Sequence, residues 1–492
     1  MGAKILYFWT ANHLMQFNSF AFAVFLPIVF LIYWFVFNKN VRSQNLFILL
    51  ASYFFYGWWD WRFLGILMFT TIVDYFLAIR IHKAASEKTG KLWLGLSLFM
   101  NLGLLCFLKY WNFFVDSWIT AWSSLGVHMN PLTVSVILPI GISFYTFQEL
   151  SYTLDVYKKR MEPVRDLVGF AAFITFFPQL VAGPIERAST FIPQFLKSRQ
   201  FSTTQAITGC RLILWGLLKK VVIADNLAVY VNNIYENYET LPGLVLLLGA
   251  VLFAFQIFAD FSGYSDIALG TAKLFGFDLI KNFNNPFSSK SITEFWRRWH
   301  ISLSSWFNDY LFTPLYTSLR NWDKAGLAAS LFITFFLSGL WHGAGWTFII
   351  YGSMHGLALV YEVLTKKQRK KASSKINHYL YNNLSMLLTF SFVVVSWIFF
   401  RSVSTQQAFG YIHKIFTGFT DGTIDTRYLN ALWLVSLSIS IEYLCRKNEY
   451  AVFIPSKRMP SYLLFALEVI VGLLVIDSSI TLNHDQFIYF QF

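Results

Sequence analysis

The run Ser338-Gly-Leu-Trp-His342-Gly-Ala-Gly-Trp346 places a histidine between two apolar stretches that could lie in a membrane. An ionisable side chain at that depth costs on the order of 3 kcal/mol on insertion scales, so it usually faces a functional cavity. Imidazole, with an unperturbed pKa of about 6.5, suits proton transfer near neutral pH. His342 is therefore a candidate general base that takes a proton from a hydroxyl as that hydroxyl meets an acyl carbonyl. The competing reading is a hydrogen bond between helices, which intramembrane histidines also make. Gly339, Gly343 and Gly345 favour the cavity, because they break the helix and admit backbone or ligand closely. A second histidine, His300, ends the segment Ser291-Ile-Thr-Glu-Phe-Trp-Arg-Arg-Trp-His300, 42 positions earlier. Alone it reads as a packed core histidine. His355 lies 13 residues past His342. That is roughly 220° around a continuous helix, so the two would not share a face.

Other residues could do chemistry beside these. Gln256, Asp260 and Tyr264 repeat at i, i+4, i+8 and set an amide, a carboxylate and a phenol on one face of an apolar segment. Such a row either lines the cavity or forms a structural network between helices, since buried carboxylates need partners. Arg297 and Arg298 could grip a phosphate-bearing donor bidentately or anchor the chain at the interface. Trp299 and Trp341 flank the two histidines and join the candidates for lining the site. The chain ends Gln486-Phe-Ile-Tyr489-Phe-Gln-Phe492. An aromatic end of this kind is most simply an interfacial anchor, and a tyrosine hydroxyl there could also carry an acyl group transiently.

The elements that must position these groups are membrane helices. Of 492 residues, 56% are hydrophobic, 20% aromatic and only 13% charged, against about 25% charged in soluble domains. Apolar runs recur along the chain, including 44–58, 63–81, 167–183, 207–231, 326–340 and 345–363, and about ten to thirteen membrane segments are expected, with re-entrant or interfacial helices among them. The first segment, near residues 20–37, has no cleavage-site pattern after it and reads as a retained helix. Residues 1–14 read as an extension, with a single membrane domain over 15–492. The net charge of +13 comes from lysines and arginines clustered in loops, such as Lys158/Lys159/Arg160, Lys366–Lys375 and Arg446/Lys447. That pattern predicts cytoplasmic loops and contact with membrane lipid, and it excludes nucleic acid as the partner. Three scattered cysteines form neither a disulfide framework nor a metal spacing, and no bound metal or cofactor is expected. Ser291 and Glu294 predict a capped helix start. The helix that follows is amphipathic, with Trp296, Trp299, His300, Leu303, Trp306, Phe307 and Tyr310 on one face and Arg297, Ser304 and Asn308 opposite.

Taken in order, several motifs resemble the membrane-bound O-acyltransferase family, and within it the bacterial acetyltransferases of alginate-like polysaccharides and peptidoglycan. They are Met15-Gln-Phe-Asn-Ser-Phe20, Leu138-Pro-Ile-Gly-Ile-Ser-Phe-Tyr145, Phe177-Pro-Gln-Leu-Val-Ala-Gly-Pro-Ile-Glu-Arg187, Asp260-Phe-Ser-Gly-Tyr-Ser-Asp266, Phe295-Trp-Arg-Arg-Trp-His300, Leu340-Trp-His-Gly-Ala344 and the aromatic end. The resemblance implies an all-α fold around a central tunnel, with His342 as catalytic histidine and His300 as the second histidine of that tunnel. It implies a thioester donor, acetyl-CoA or a carrier-protein thioester, and raises Tyr489 as an acyl relay. Because the single membrane domain carries no exported catalytic domain, a separate periplasmic or surface transferase of the SGNH hydrolase type is also expected. One departure stands out. Alginate-associated members carry Pro-Leu-Gly-Gly-Asn-Arg after the amphipathic helix, where this chain has Thr313-Pro-Leu-Tyr-Thr-Ser-Leu-Arg320, which leaves the acceptor polymer open.

The expectation is a multi-pass O-acetyltransferase of the bacterial cytoplasmic membrane, moving acetyl groups toward an extracytoplasmic glycan. The rival is a glycan or lipid transporter that uses intramembrane histidine and carboxylate as a proton relay. The chain lacks the two-half symmetry that many such transporters show.

Overall fold

The computed structural model describes residues 15–130, 134, 137–419, 425–446, 460–481 and 488. The expected extension over 1–14 and Tyr489 lie outside these residues. All regular structure among the described residues is helical. Eight helical segments are long and apolar enough to cross a bilayer: Val41–His82, Glu87–Ser123, Gly243–Leu274, Ile301–His342, Trp346–Leu364, His378–Arg401, Thr426–Cys445 and Ser461–Thr481. Helices satisfy their own backbone groups, which a hydrocarbon environment demands. In Ser461–Thr481 only 6% of the most apolar window is buried by protein.

The difference from ten to thirteen expected segments has local causes. Segments 44–58 and 63–81 fall in one element, Val41–His82, which breaks at Asp60 (φ −157°, ψ 108°). There the Asp60 carboxylate takes the Arg62 backbone N–H (3.0 Å) and guanidinium (2.5–3.0 Å). Segment 167–183 divides at Phe176 into Leu167–Thr175 and Phe177–Leu180, both too short to cross. Segment 207–231 runs through a π-turn, Leu218–Ala224, that carries Lys219 and Lys220 and leads into Asp225. Those charges set it apart from a plain span.

The chain divides into two compact units, Met1–Cys210 with Ala268–Ile280, and Arg211–Ile267 with Lys281–Phe492. In the first, Gly141 takes φ +75°, and a Cβ there would stand 2.5 Å from the Leu180 carbonyl oxygen. The Leu138–Tyr145 and Phe177–Arg187 motifs therefore meet backbone to backbone, which only glycine allows at this point. Buried polar side chains tie the same unit together. Asp74 accepts from Ser97 and Asn101 (both 2.6 Å), and Glu149 accepts from Thr70 (3.0 Å) and Thr71 (3.1 Å). Glu186 takes the Ile280 N–H at 2.6 Å, and its burial pushes the carboxyl up to about 8 against the pull of that bond and of Arg187.

The second unit holds both candidate histidines. Its paired helices Asp323–His342 and Trp346–Leu364 pack beside His378–Arg401. Tyr235 stacks on Tyr411 with ring centroids 4.5 Å apart, and Arg401 donates to Asn232 at 2.8 Å.

Candidate active site

Helix Asp323–His342 stops at His342 because Gly343 turns extended (φ −162°, ψ 153°), and Gly345, equally extended, caps the helix that begins at Trp346. The two helices touch through glycine. A Cβ on Gly352 would lie 2.7 Å from the Gly339 Cα and 2.8 Å from its nitrogen. A Cβ on Gly343 would strike the Phe348 ring. These glycines serve close approach, as small residues do between membrane helices. They leave His342 3% exposed, walled by the rings of Trp341 (centroids 5.0 Å apart), Phe400 (5.4 Å) and Tyr351 (5.7 Å).

His300 does not sit within one continuous amphipathic helix. The helix breaks into Ile292–Arg298 and Ile301–Phe307, and His300 between them is left-handed (φ +45°, ψ +54°). That conformation costs an L-residue roughly 1–2 kcal/mol and persists where the surroundings over-determine it. Asn282 supplies the restraint. Its backbone carbonyl accepts the Ile301 N–H at 2.9 Å. Its side-chain Oδ1 accepts the Ser302 N–H (3.2 Å) and hydroxyl (3.0 Å) and lies 3.1 Å from His300 Nδ1. An amide oxygen only accepts, so His300 carries its proton on Nδ1 and its lone pair on Nε2. Most of the expected faces survive the break: Trp296, Trp299, His300, Leu303, Trp306 and Phe307 are buried and Arg297 and Asn308 exposed, while Tyr310 and Ser304 are both half-buried.

The segment that delivers His300 is held at its start. Ser291 Oγ accepts the Glu294 N–H at 3.0 Å, as its capping signature predicts, while the Glu294 carboxylate takes the Lys290 N–H at 2.9 Å. Glu362, from the helix Trp346–Leu364, reaches the same terminus and accepts the backbone N–H groups of Ile292 (2.6 Å) and Thr293 (3.0 Å) and the Thr293 hydroxyl (2.7 Å). A carboxylate there suits the positive end of the helix.

Trp341 links the two histidines, with its ring 5.0 Å from His342 and 6.0 Å from His300. His342 lies within electrostatic reach of His300, whose other wall is the edge of Phe261 at 4.6 Å. The structure thus gathers two buried imidazoles among aromatic rings. Buried imidazoles among aromatic rings can move a proton with water excluded.

The remaining candidates are engaged as follows. His355 is committed at both nitrogens: Trp296 Nε1 donates to Nδ1 (3.1 Å), which leaves Nε2–H for Ser396 Oγ (3.0 Å). Trp299 stacks on Phe295 at 5.6 Å and lies against Trp397 at 4.9 Å. Arg298 pairs with Glu294 (2.7 Å) and donates to Ser288 (3.0 Å), whereas Arg297 is exposed. Gln256, Asp260 and Tyr264 are all buried, and Asp260 belongs to a network. Lys220 bridges Asp260 and Asp225 at 2.8 Å each, and the second Asp260 oxygen accepts the Ile488 N–H at 2.8 Å. Sequence reasoning passed over Lys220, Glu362 and Asn282. The first two carry the same signal as His342, a charge inside an apolar run. Asn282 carries none, since it stands in a polar loop 18 residues before its partner.

A family model for MBOAT, the membrane-bound O-acyltransferase family, matches residues 48–401. The chain belongs to this family. It is 39% identical over 392 residues to a probable alginate O-acetylase AlgI of Pseudomonas syringae pv. tomato, covering 80% of this chain and 73% of the relative. A probable alginate O-acetylase AlgI of Azotobacter vinelandii is 39% identical over 432 residues (86% and 81%). The peptidoglycan O-acetyltransferase of Helicobacter pylori is 36% identical over 424 residues (80% and 78%). This member of the O-acyltransferase family is accordingly a multi-pass membrane acyltransferase, and the transporter reading falls away.

Proposed function

We propose that this acyltransferase moves an acetyl group from a cytoplasmic thioester to hydroxyls of an extracytoplasmic polysaccharide or peptidoglycan. The donor is acetyl-CoA or a carrier-protein thioester. The observation that carries the reading is that His342 and His300 are both buried beside the Trp341 ring and within electrostatic reach of each other. The names of the relatives support an acetyl group and a glycan acceptor.

In this reading His342 is the general base. As the acceptor O–H bond breaks, an imidazole nitrogen takes the proton and the oxygen bonds to the thioester carbonyl carbon. The tetrahedral intermediate then expels the thiolate, which recovers the proton from the imidazolium, so the histidine leaves the cycle unchanged. Trp341, Tyr351 and Phe400 exclude water and hold the base in place, and rate comes from proximity and a dry site. Basic loops on the cytoplasmic side of the inner membrane give the thioester its side of entry. The hydroxyl that attacks the thioester is that of Tyr489; a glycan hydroxyl then attacks the tyrosyl ester, its proton passing to the leaving phenolate, and a separate SGNH-type transferase completes delivery to the polymer.

The test is acetyl-CoA turnover and protein labelling with radiolabelled acetyl-CoA in detergent. His342→Ala is expected to abolish both, and Tyr489→Phe to remove the covalent label. Wild-type protein that neither consumes acetyl-CoA nor becomes labelled, even with periplasmic extract, would overturn acetyl-CoA as donor.

A further inference from the structure

We propose that Asn282 is a positioning residue of this site, holding His300 as the Nδ1–H tautomer so that Nε2 is its proton-accepting nitrogen. The inference rests on the acyl-transfer reading above and adds to it a residue that touches no substrate.

Asn282 is 1% exposed and makes four hydrogen bonds within the three residues His300, Ile301 and Ser302. Those bonds do two things together. They pin a left-handed backbone that histidine would not adopt unaided, and so set the direction in which the imidazole leaves the chain. They also choose the tautomer, because an oxygen that already takes two protons from Ser302 can only take a third from the ring. The neighbouring strand of backbone reinforces the clamp: Asn284 N–H donates to the Arg298 carbonyl at 2.9 Å. An asparagine acceptor differs from a carboxylate in this role. It orients the imidazole without a negative charge, and so leaves the ring neutral until a proton arrives. His342 takes the proton of the acceptor hydroxyl, and the nitrogen of His300 able to accept it in turn from the His342 imidazolium is Nε2. The N–H bond formed there breaks again as the proton returns to His342, which gives it to the departing thiolate. Among the described residues His342 is a titratable group that acts electrostatically on His300. The rings of Phe261 and Trp341 and the amide of Asn282 also lie against it.

The experiment uses the full chain with 15N-labelled histidine in detergent, comparing wild type, Asn282→Leu and Asn282→Asp, with His300→Gln to assign the ring signals. Wild type is expected to show His300 protonated at Nδ1. Asn282→Leu is expected to populate the Nε2–H tautomer and to lower kcat for acetyl transfer about tenfold, the worth of one lost hydrogen bond, with KM for acetyl-CoA little changed. Asn282→Asp keeps the acceptor and adds charge. It should retain the Nδ1–H tautomer, rescue turnover and move the acid limb of the pH–rate profile to higher pH, because a carboxylate stabilises the imidazolium. Unfolding midpoints measured alongside separate a misfolded variant from a mispositioned ring, and Asn282→Asp carries the test if Asn282→Leu does not fold. The proposal is overturned if His300 in wild type is protonated at Nε2, if Asn282→Leu changes the tautomer but not kcat, or if Asn282→Asp leaves the pH profile where it was. Absence of turnover in wild type overturns the acyl-transfer reading instead, and the tautomer signals then decide the Asn282 contact by themselves.

Discussion

Gly352→Ala perturbs the candidate site through packing alone, without touching a group that reacts. Its Cβ would stand 2.7 Å from the Gly339 Cα and 2.8 Å from the Gly339 nitrogen, with the Phe335 carbonyl oxygen closer still. The shortfall from ordinary carbon contact is on the order of 0.8 Å, and all three atoms are backbone, so no side chain can turn aside. The helices Asp323–His342 and Trp346–Leu364 must part, at a cost of about 1–3 kcal/mol for an overpacked interface. Gly339→Ala meets the reciprocal contacts, 2.8 Å to the Gly352 Cα and 2.9 Å to its nitrogen, and should cost as much. His342 lies three residues beyond Gly339, and Tyr351, part of its wall, adjoins Gly352. A displacement approaching 1 Å there can lower turnover by up to about 100-fold. Gly472 in Ser461–Thr481 has nothing within 4 Å of its would-be Cβ. Gly472→Ala should be neutral, or stabilise by about 0.5–1 kcal/mol through helix propensity. The assay is thermal unfolding in detergent followed by tryptophan fluorescence, paired with acetyl-CoA turnover by the same samples. If Gly339→Ala and Gly352→Ala melt and turn over like Gly472→Ala, the glycine contact does not hold His342 and the reasoning fails.

Three further expectations follow from named contacts. Glu186 binds its proton more tightly folded than unfolded, since burial raises its pKa from 4.5 to about 8; its stabilising contribution is complete below 4.5 and lost as pH rises through about 8. The unfolding midpoint of wild type should therefore fall across that window, and fall less in Glu186→Gln, which keeps an oxygen for the Ile280 N–H; parallel pH curves for the two proteins would contradict this. Glu362→Ala removes three hydrogen bonds at the start of Ile292–Arg298 and should cost on the order of 2–4 kcal/mol in chemical unfolding, with Glu362→Gln milder because one acceptor remains. His355→Ala should destabilise by about 2–4 kcal/mol, through lost packing and the stranded partners Trp296 and Ser396, yet leave turnover per folded molecule largely intact; His342→Ala should do the reverse, and an inactive but stable His355→Ala would assign it a chemical role instead.

Much of the architecture was legible because its signals are local. The apolar runs 326–340 and 345–363 end where the paired helices end, and the glycines between them are both the break and the contact surface. His342 announced itself by being ionisable where its neighbours are not, and Ser291 caps the helix that its spacing with Glu294 predicted. Illegible features depend on partners remote in sequence. The heptad-like face from Trp296 to Phe307 buries as the periodicity requires, yet the helix does not run through His300, because Asn282 competes successfully for the Ile301 and Ser302 amides. Periodicity reports which side chains are buried; it is blind to a hydrogen-bond donor or acceptor arriving from another part of the chain. The same limit explains Asp260. Its i, i+4, i+8 row with Gln256 and Tyr264 predicted a polar face, but only the fold reveals Lys220 and the Ile488 amide as the groups that meet it. In a membrane protein this division is sharper than in a soluble one, since each buried polar group without a partner is costly and must be answered from somewhere. A sequence therefore displays the groups that need answering, and the structure supplies the answers, some of which, like Asn282, bear directly on how the site would work.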